Sequence, residues 1–308
     1  MTAPYKIIDI REEMDSPEDL GTKEKSWYTW QEQKRLFKKS RLLTGEHWSE
    51  KVAEQLCLKL GIPHATYEMA RFQGNIGVTS PSIITDRTRW RMTLGNQLLM
   101  SSDNTYPGDD QQRFVRVREH TVARVMGILE TAKSGILPPF QGQFPEFMDA
   151  AGVFTGYLML DALISNQDRH HENWAVLLDD AIGKKYLCPT YDHASSLGCT
   201  ERDETRQQRL TTKDRGFSVA AYVRKASCAL YKSKADKKPL KTMDAFLIAS
   251  EMQPRAAEFW LNKLSLLDEA ETGQLLRRIP EEVTTPLAIQ FAEQMMLENR
   301  RSLLCTRQ

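Results

Sequence analysis

Ser165-Asn166-Gln167-Asp168-Arg169-His170-His171-Glu172-Asn173-Trp174 is a polar run set between two apolar ones. On its N-terminal side, residues 147–165 carry Val153, Phe154, Tyr157, Leu158, Leu160, Leu163 and Ile164, a density that predicts a buried helix. On its C-terminal side, residues 174–178 and 185–187 read as two short strands of a hairpin. A dense polar loop between buried elements must be satisfied by hydrogen bonds, a metal or a ligand.

Outward from this loop the two halves of the chain differ. Upstream, residues 27–30 and 35–38 predict two strands joined by the polar turn 31–34. Residues 48–60 place Trp48, Val52, Ala53, Leu56 and Leu60 at helical spacing, and Gly61-Ile62-Pro63 stops that helix. Residues 66–72 and 76–79 predict a hairpin about Gln73-Gly74-Asn75. Downstream the text is helical: a long amphipathic helix over 112–133, then helices near 244–249, 256–267 and 286–304. Strands followed by helices make an α+β plan with a small β-rich N-lobe and a larger helical C-lobe. The boundaries are set at 1–86 for the N-lobe, 87–110 for a connecting segment and 111–308 for the C-lobe. Ligands favour the cleft between such lobes.

Composition narrows the function classes. The chain has 308 residues, with 42 Lys and Arg against 41 Asp and Glu, a net charge of +1. That balance argues against a generally basic nucleic-acid binder. No apolar run approaches the roughly 18 residues of a membrane span, and the N-terminus lacks a signal-peptide pattern, so a cytoplasmic protein is expected. Cys57, Cys188, Cys199, Cys228 and Cys305 include no CxxC pair and read as reduced thiols. His170, His171 and His193 read as loop-orienting hydrogen-bonding groups rather than zinc ligands. Between Tyr222 and Lys241, Arg224, Lys225, Lys232, Lys234, Lys237, Lys238 and Lys241 stand against Asp236 alone, a basic surface stretch.

Four elements carry candidate chemistry. Asp168 and Asn173 have the spacing of the protein-kinase catalytic loop, where an Asp accepts the acceptor hydroxyl's proton and an Asn holds magnesium. Asp192, in Tyr191-Asp192-His193, follows the hairpin, which would return it beside Asn173. A carboxylate and an amide oxygen are hard ligands suited to magnesium beside nucleotide phosphates. Lys38 closes a strand and Glu50 opens the next helix, the kinase device for holding phosphates. Strand alternation favours Lys38 over Lys39, since Leu36 shares its inward face. Gly21, Thr22 and Lys23, just before the first strand, are the candidate phosphate loop.

With these motifs the sequence resembles the HipA family of bacterial Ser/Thr kinases. Gly21-Thr22-Lys23-Glu24-Lys25 stands for the glycine loop and Phe37-Lys38 for the strand lysine. Glu50 with Leu60-Gly61-Ile62-Pro63 stands for the helix, residues 166–173 for the catalytic loop and Tyr191-Asp192-His193 for the metal motif. The resemblance covers residues 18–300. It implies a bilobal protein-kinase-like fold, ATP and Mg2+ as cofactors, and supporting roles for Arg169, His170 and His193 around Asp168. Several members are toxins of toxin–antitoxin modules that phosphorylate aminoacyl-tRNA synthetases. With about 20 residues ahead of the glycine loop, the chain looks like the short HipT-type kinases, whose missing subdomain is a separate small protein. That part, or an antitoxin, is the partner the resemblance implies, beside a protein substrate. The family's autophosphorylated serines precede the loop glycine; here Ser16 is the candidate and Glu18 occupies the regulatory position. The alternatives are a small-molecule or lipid kinase on the same frame, or a catalytically silent pseudokinase that binds a partner.

Overall fold

The computed structural model describes residues 3–17, 24–107 and 116–306. The candidate loop Gly21, Thr22 and Lys23, with Glu18, lies outside them. Ser16 sits exposed in a two-residue strand, β2 (Ser16–Pro17), which pairs with Lys25–Trp30, β3.

The N-terminal layer is a six-stranded sheet in the order β1-β5-β6-β4-β3-β2. Its remaining members are β1 (Ile7–Asp9), β4 (Gln33–Lys39), β5 (Glu68–Phe72) and β6 (Asn75–Pro81). β1 runs parallel to β5 and the other pairings are antiparallel. The β3–β4 turn is tight, with Gln31 and Glu32 both in the left-handed region at φ 49° and 63°. That geometry matches the right-handed twist of the two strands. The helix α1 (Glu46–Leu60) lies on β5 and β6 and buries Trp48, Val52, Ala53, Leu56, Cys57 and Leu60. Gly61 ends it at φ 72°, its N–H donating to Cys57 O, as the glycine stop predicts.

The second layer is a four-stranded sheet in the order β7-β9-β10-β8, from β7 (Trp90–Leu94), β9 (Ala175–Asp179), β10 (Lys184–Leu187) and β8 (Ile136–Leu137). Behind it stands α5 (Ala150–Ile164), every residue of which is buried. It packs against α3 (Val122–Leu129), α8 (Thr242–Met252), α9 (Pro254–Leu266) and α11 (Pro286–Cys305). Asp149 caps it by accepting Gly152 N–H. A Cβ on Gly156 would lie 2.4 Å from the Trp260 ring, so this helix and α9 approach closely only because glycine stands there. Among the described residues no helix is long and apolar enough to cross a membrane.

Two element expectations are corrected. The helix over 112–133 is not continuous: its described part is α3 followed by the single turn α4 (Thr131–Ser134), because Glu130 between them is extended, at φ −65° and ψ 104°. Four helices were unread: α2 (Gly95–Ser102), α6 (Asp203–Thr211), α7 (Val219–Lys225) and α10 (Glu269–Arg277). α6, Asp-Glu-Thr-Arg-Gln-Gln-Arg-Leu-Thr, has no apolar stripe to betray it.

Candidate active site

The end of α5 builds the central loop. Ser165 turns the chain at φ 53°, and Asn299 of α11 donates to both Leu163 O and Ser165 Oγ, fixing the turn. Asp161, one turn back in α5, is the loop's anchor. It accepts from Asn166 Nδ2 at 2.8 Å and from Arg169 through two bonds of 2.7 and 2.8 Å. Arg169 is fully buried and also donates to Asn173 O at 2.7 Å and Thr190 Oγ1 at 3.0 Å. One guanidinium thus joins the helix, the loop and the segment leading to Asp192, using the fork geometry of arginine.

Asp168 is about one-third exposed, at the mouth of the loop. Asn173 Nδ2 donates back to Asp168 O, so of the two amide atoms the Asn173 oxygen is the one that could ligate a metal. Tyr191 donates to Glu172 O at 2.7 Å, and the β9–β10 hairpin returns the chain so that Asp168, Asn173 and Asp192 line one cleft. The strand lysine faces the same cleft. Leu36 and Lys38 line it, whereas Lys39 points away and pairs with Glu24 at 2.9 Å.

Lys38 differs in one respect from the sequence expectation. No hydrogen bond or ion pair joins it to Glu50; its partner is Asp192 Oδ2 at 3.3 Å. Glu50, fully buried in the second turn of α1, accepts the backbone N–H of His193 at 2.7 Å. A helix carboxylate can reach either the lysine or the backbone beside the metal motif, and only packing decides which. Burial works against the charge of Lys38, but Asp192 and then Glu50 more than offset it, so its pKa is raised.

The histidines have separate partners. His193 Nε2 meets Thr190 Oγ1 at 2.8 Å, His170 Nδ1 accepts the Glu172 N–H at 3.2 Å, and His171 Nδ1 shares a hydrogen bond of 2.6 Å with the Tyr106 hydroxyl. Among the described residues no three His, Cys, Asp or Glu side chains group as a metal site of their own. Cys57, Cys188, Cys199 and Cys228 are buried and Cys305 is exposed.

Sequence reading gave Lys25 only as the end of the glycine-loop segment and gave most of the cleft's apolar residues no role. Lys25 of β3 stands directly across from Lys38 in the strand register and lies 3.7 Å from Asp192 Oδ2. Once the β3–β4 register is known, cross-strand pairing finds it; the sequence alone does not. Trp27, Leu36, Ala65, Tyr67, Met92 and Leu94 supply apolar walls to a cavity of about 390 Å3. That volume lies within the range of small-molecule sites. The donor set fits a magnesium–nucleotide: carboxylate and amide oxygens for the metal, two ammonium groups for phosphates, and apolar walls for a base.

No protein-family profile matches the sequence, and no curated protein matches it. Solved structures do. The Helicobacter pylori proinflammatory kinase CtkA superposes with a TM-score of 0.75 at 17% identity, over 98% of each chain. HipA, from the Shewanella oneidensis MR-1 toxin–antitoxin complex of HipA, HipB and operator DNA, gives a TM-score of 0.54 at 12% identity. That match covers 92% of this chain and 64% of the HipA chain. The fold is therefore kinase-like and bilobal, a β-rich lobe over a helical one. It is the fold of the HipA-like kinases that the motifs of the sequence resemble.

Proposed function

We propose that the chain is a protein serine/threonine kinase that transfers the terminal phosphoryl group of ATP with magnesium. The observation that carries this reading is the convergence of Lys38, Asp168, Asn173 and Asp192 on one cleft from three separate segments, the strand β4, the central loop and the stretch after β10. A binding module that did no chemistry would not need that set together.

Magnesium-ATP supplies the transferable group and neutralises charge on its oxygens. Asn173 and Asp192 are the residues that would hold the metal, and Lys38 with Lys25 the ones that would meet phosphate oxygens. Gly21, Thr22 and Lys23 are proposed to cover the phosphates. Asp168, a third exposed at the mouth, is proposed to orient an incoming hydroxyl and take its proton. Arg169 holds the loop, and Glu50 holds the backbone beside Asp192. His170 and His193 support the loop through Glu172 and Thr190.

The proposed acceptor is a protein, of which an aminoacyl-tRNA synthetase is the candidate, and the proposed role is that of a toxin. A HipB-like antitoxin or a small subdomain-like protein is the proposed controlling partner, and Ser16, exposed in β2, the proposed autophosphorylation site. The test is phosphoproteomics of bacteria expressing the chain, compared with Asp168→Asn. Phosphoserine or phosphothreonine that accumulates only with the native chain supports the proposal. Identical phosphoproteomes, with no magnesium-dependent phosphate transfer in the purified protein, overturn it.

A further inference from the structure

Tyr67 belongs to the segment between α1 and β5 and is 2% exposed. This segment is sewn to the other lobe. Ala65 N donates to Thr190 O and Thr190 N donates to Pro63 O, both at 2.9 Å, so the N-lobe backbone runs beside residues 190–192. From there the Tyr67 hydroxyl accepts the backbone N–H of Asp192 at 3.2 Å, and its ring lies 5.4 Å from Lys38 Nζ. Lys51 of α1 clamps the Tyr67 carbonyl at 2.7 Å. Asp192 itself sits at φ 60°, a left-handed conformation that a residue with a side chain holds only when its surroundings impose it.

We propose that Tyr67 is a positioning residue: its hydroxyl holds the left-handed turn at Asp192, its ring seats Lys38, and it thereby sets the metal carboxylate of one lobe against the phosphate lysine of the other. This rests on reading the cleft as a magnesium–nucleotide site.

Tyr67→Phe keeps the ring and removes the hydroxyl. The magnesium concentration needed for half-maximal tight ATP binding should rise about two- to tenfold, the range that one lost hydrogen bond spans. ATP affinity in EDTA should change far less. In the nucleotide-free protein, the Asp192 amide should exchange its hydrogen faster than in the native chain. A magnesium titration and amide exchange equal to the native protein's would overturn the proposal. So would a parallel loss of both binding arms with a lowered melting temperature, which is what simple loosening of the fold produces. A native chain that shows no magnesium-dependent ATP binding would overturn the reading of the cleft itself, and this proposal with it.

Discussion

Asp192 and Asp168 are both carboxylates at one cleft, yet their surroundings divide them. Asp192 is mostly buried and pairs with Lys38 and Lys25, whereas Asp168 is a third exposed at the mouth of the loop, 4.0 Å from His170 Nε2. Asp192→Asn should therefore weaken magnesium-dependent ATP binding by about tenfold or more, as loss of a charge-assisted contact does. Asp168→Asn should leave ATP affinity nearly intact while cutting phosphate transfer by about 10²–10⁴-fold, the worth of a general base. Calorimetry beside a labelled-ATP transfer assay separates the two, and loss of ATP affinity in Asp168→Asn would reverse the assignment. The lysines make a second contrast. Lys38→Ala should abolish tight ATP binding, and Lys39→Ala, which breaks only a half-exposed pair with Glu24, should leave it near the native value. An inactive Lys39→Ala would mean that the strand's other face meets the nucleotide.

Among the elements, β4 and β6 matter most to the cleft, because β4 carries Lys38 and β6 supports it. Gly77 lies opposite Lys39 in their register, and a Cβ there would come 2.1 Å from Lys38 O and 2.9 Å from the Phe37 ring. Backbone cannot yield as a flexible side chain can. Gly77→Ala should force the strands apart, costing about 1–3 kcal/mol, with a melting temperature lower by several degrees and weakened ATP binding. Native melting in that variant would show that the two strands separate more easily than their packing implies. The central loop is held differently, by Arg169 and Asp161, so that α5 and the loop behave as one unit.

Across the whole molecule, three buried histidines link stability to pH. Burial lowers His47 to about 4, His120 to about 3 and His171 to about 4, from an ordinary 6.5; the neighbouring His171 adds to the effect on His120, and His170 to that on His171. In the unfolded chain these rings take up protons as pH falls through about 6.5, while in the folded chain they stay neutral. The unfolded state thus binds more protons in that window. Stability is fully present above about pH 6.5 and should fall between 6.5 and 4, by up to about 1.4 kcal/mol per pH unit for each histidine. Urea midpoints at pH 7, 6 and 5 test this before the carboxylates titrate; a midpoint that rises as the pH is lowered would contradict it.

The sequence by itself determined the types of the main elements around the site and singled out Lys38, Asp168, Asn173 and Asp192, which line one cleft. α1, α5 and the β9–β10 hairpin are local patterns of apolar spacing and turn residues, and the Asp168–Asn173 spacing lies within one loop. Alternation along β4 was enough to turn Lys38 inward and Lys39 outward, because a strand's faces alternate strictly. The polar helix α6 was less legible, since it carries no apolar stripe, and the stripe of α3 (Val122, Val125, Met126, Leu129) did not mark the break at Glu130. Only the tertiary structure decided who pairs with whom. That Lys38 meets Asp192 and not Glu50, that Lys25 stands across from it, and that Tyr67 accepts the Asp192 amide all depend on segments far apart in the chain. Such contacts are selected by how the lobes pack, because a buried polar group takes whichever partner the surrounding core brings within reach.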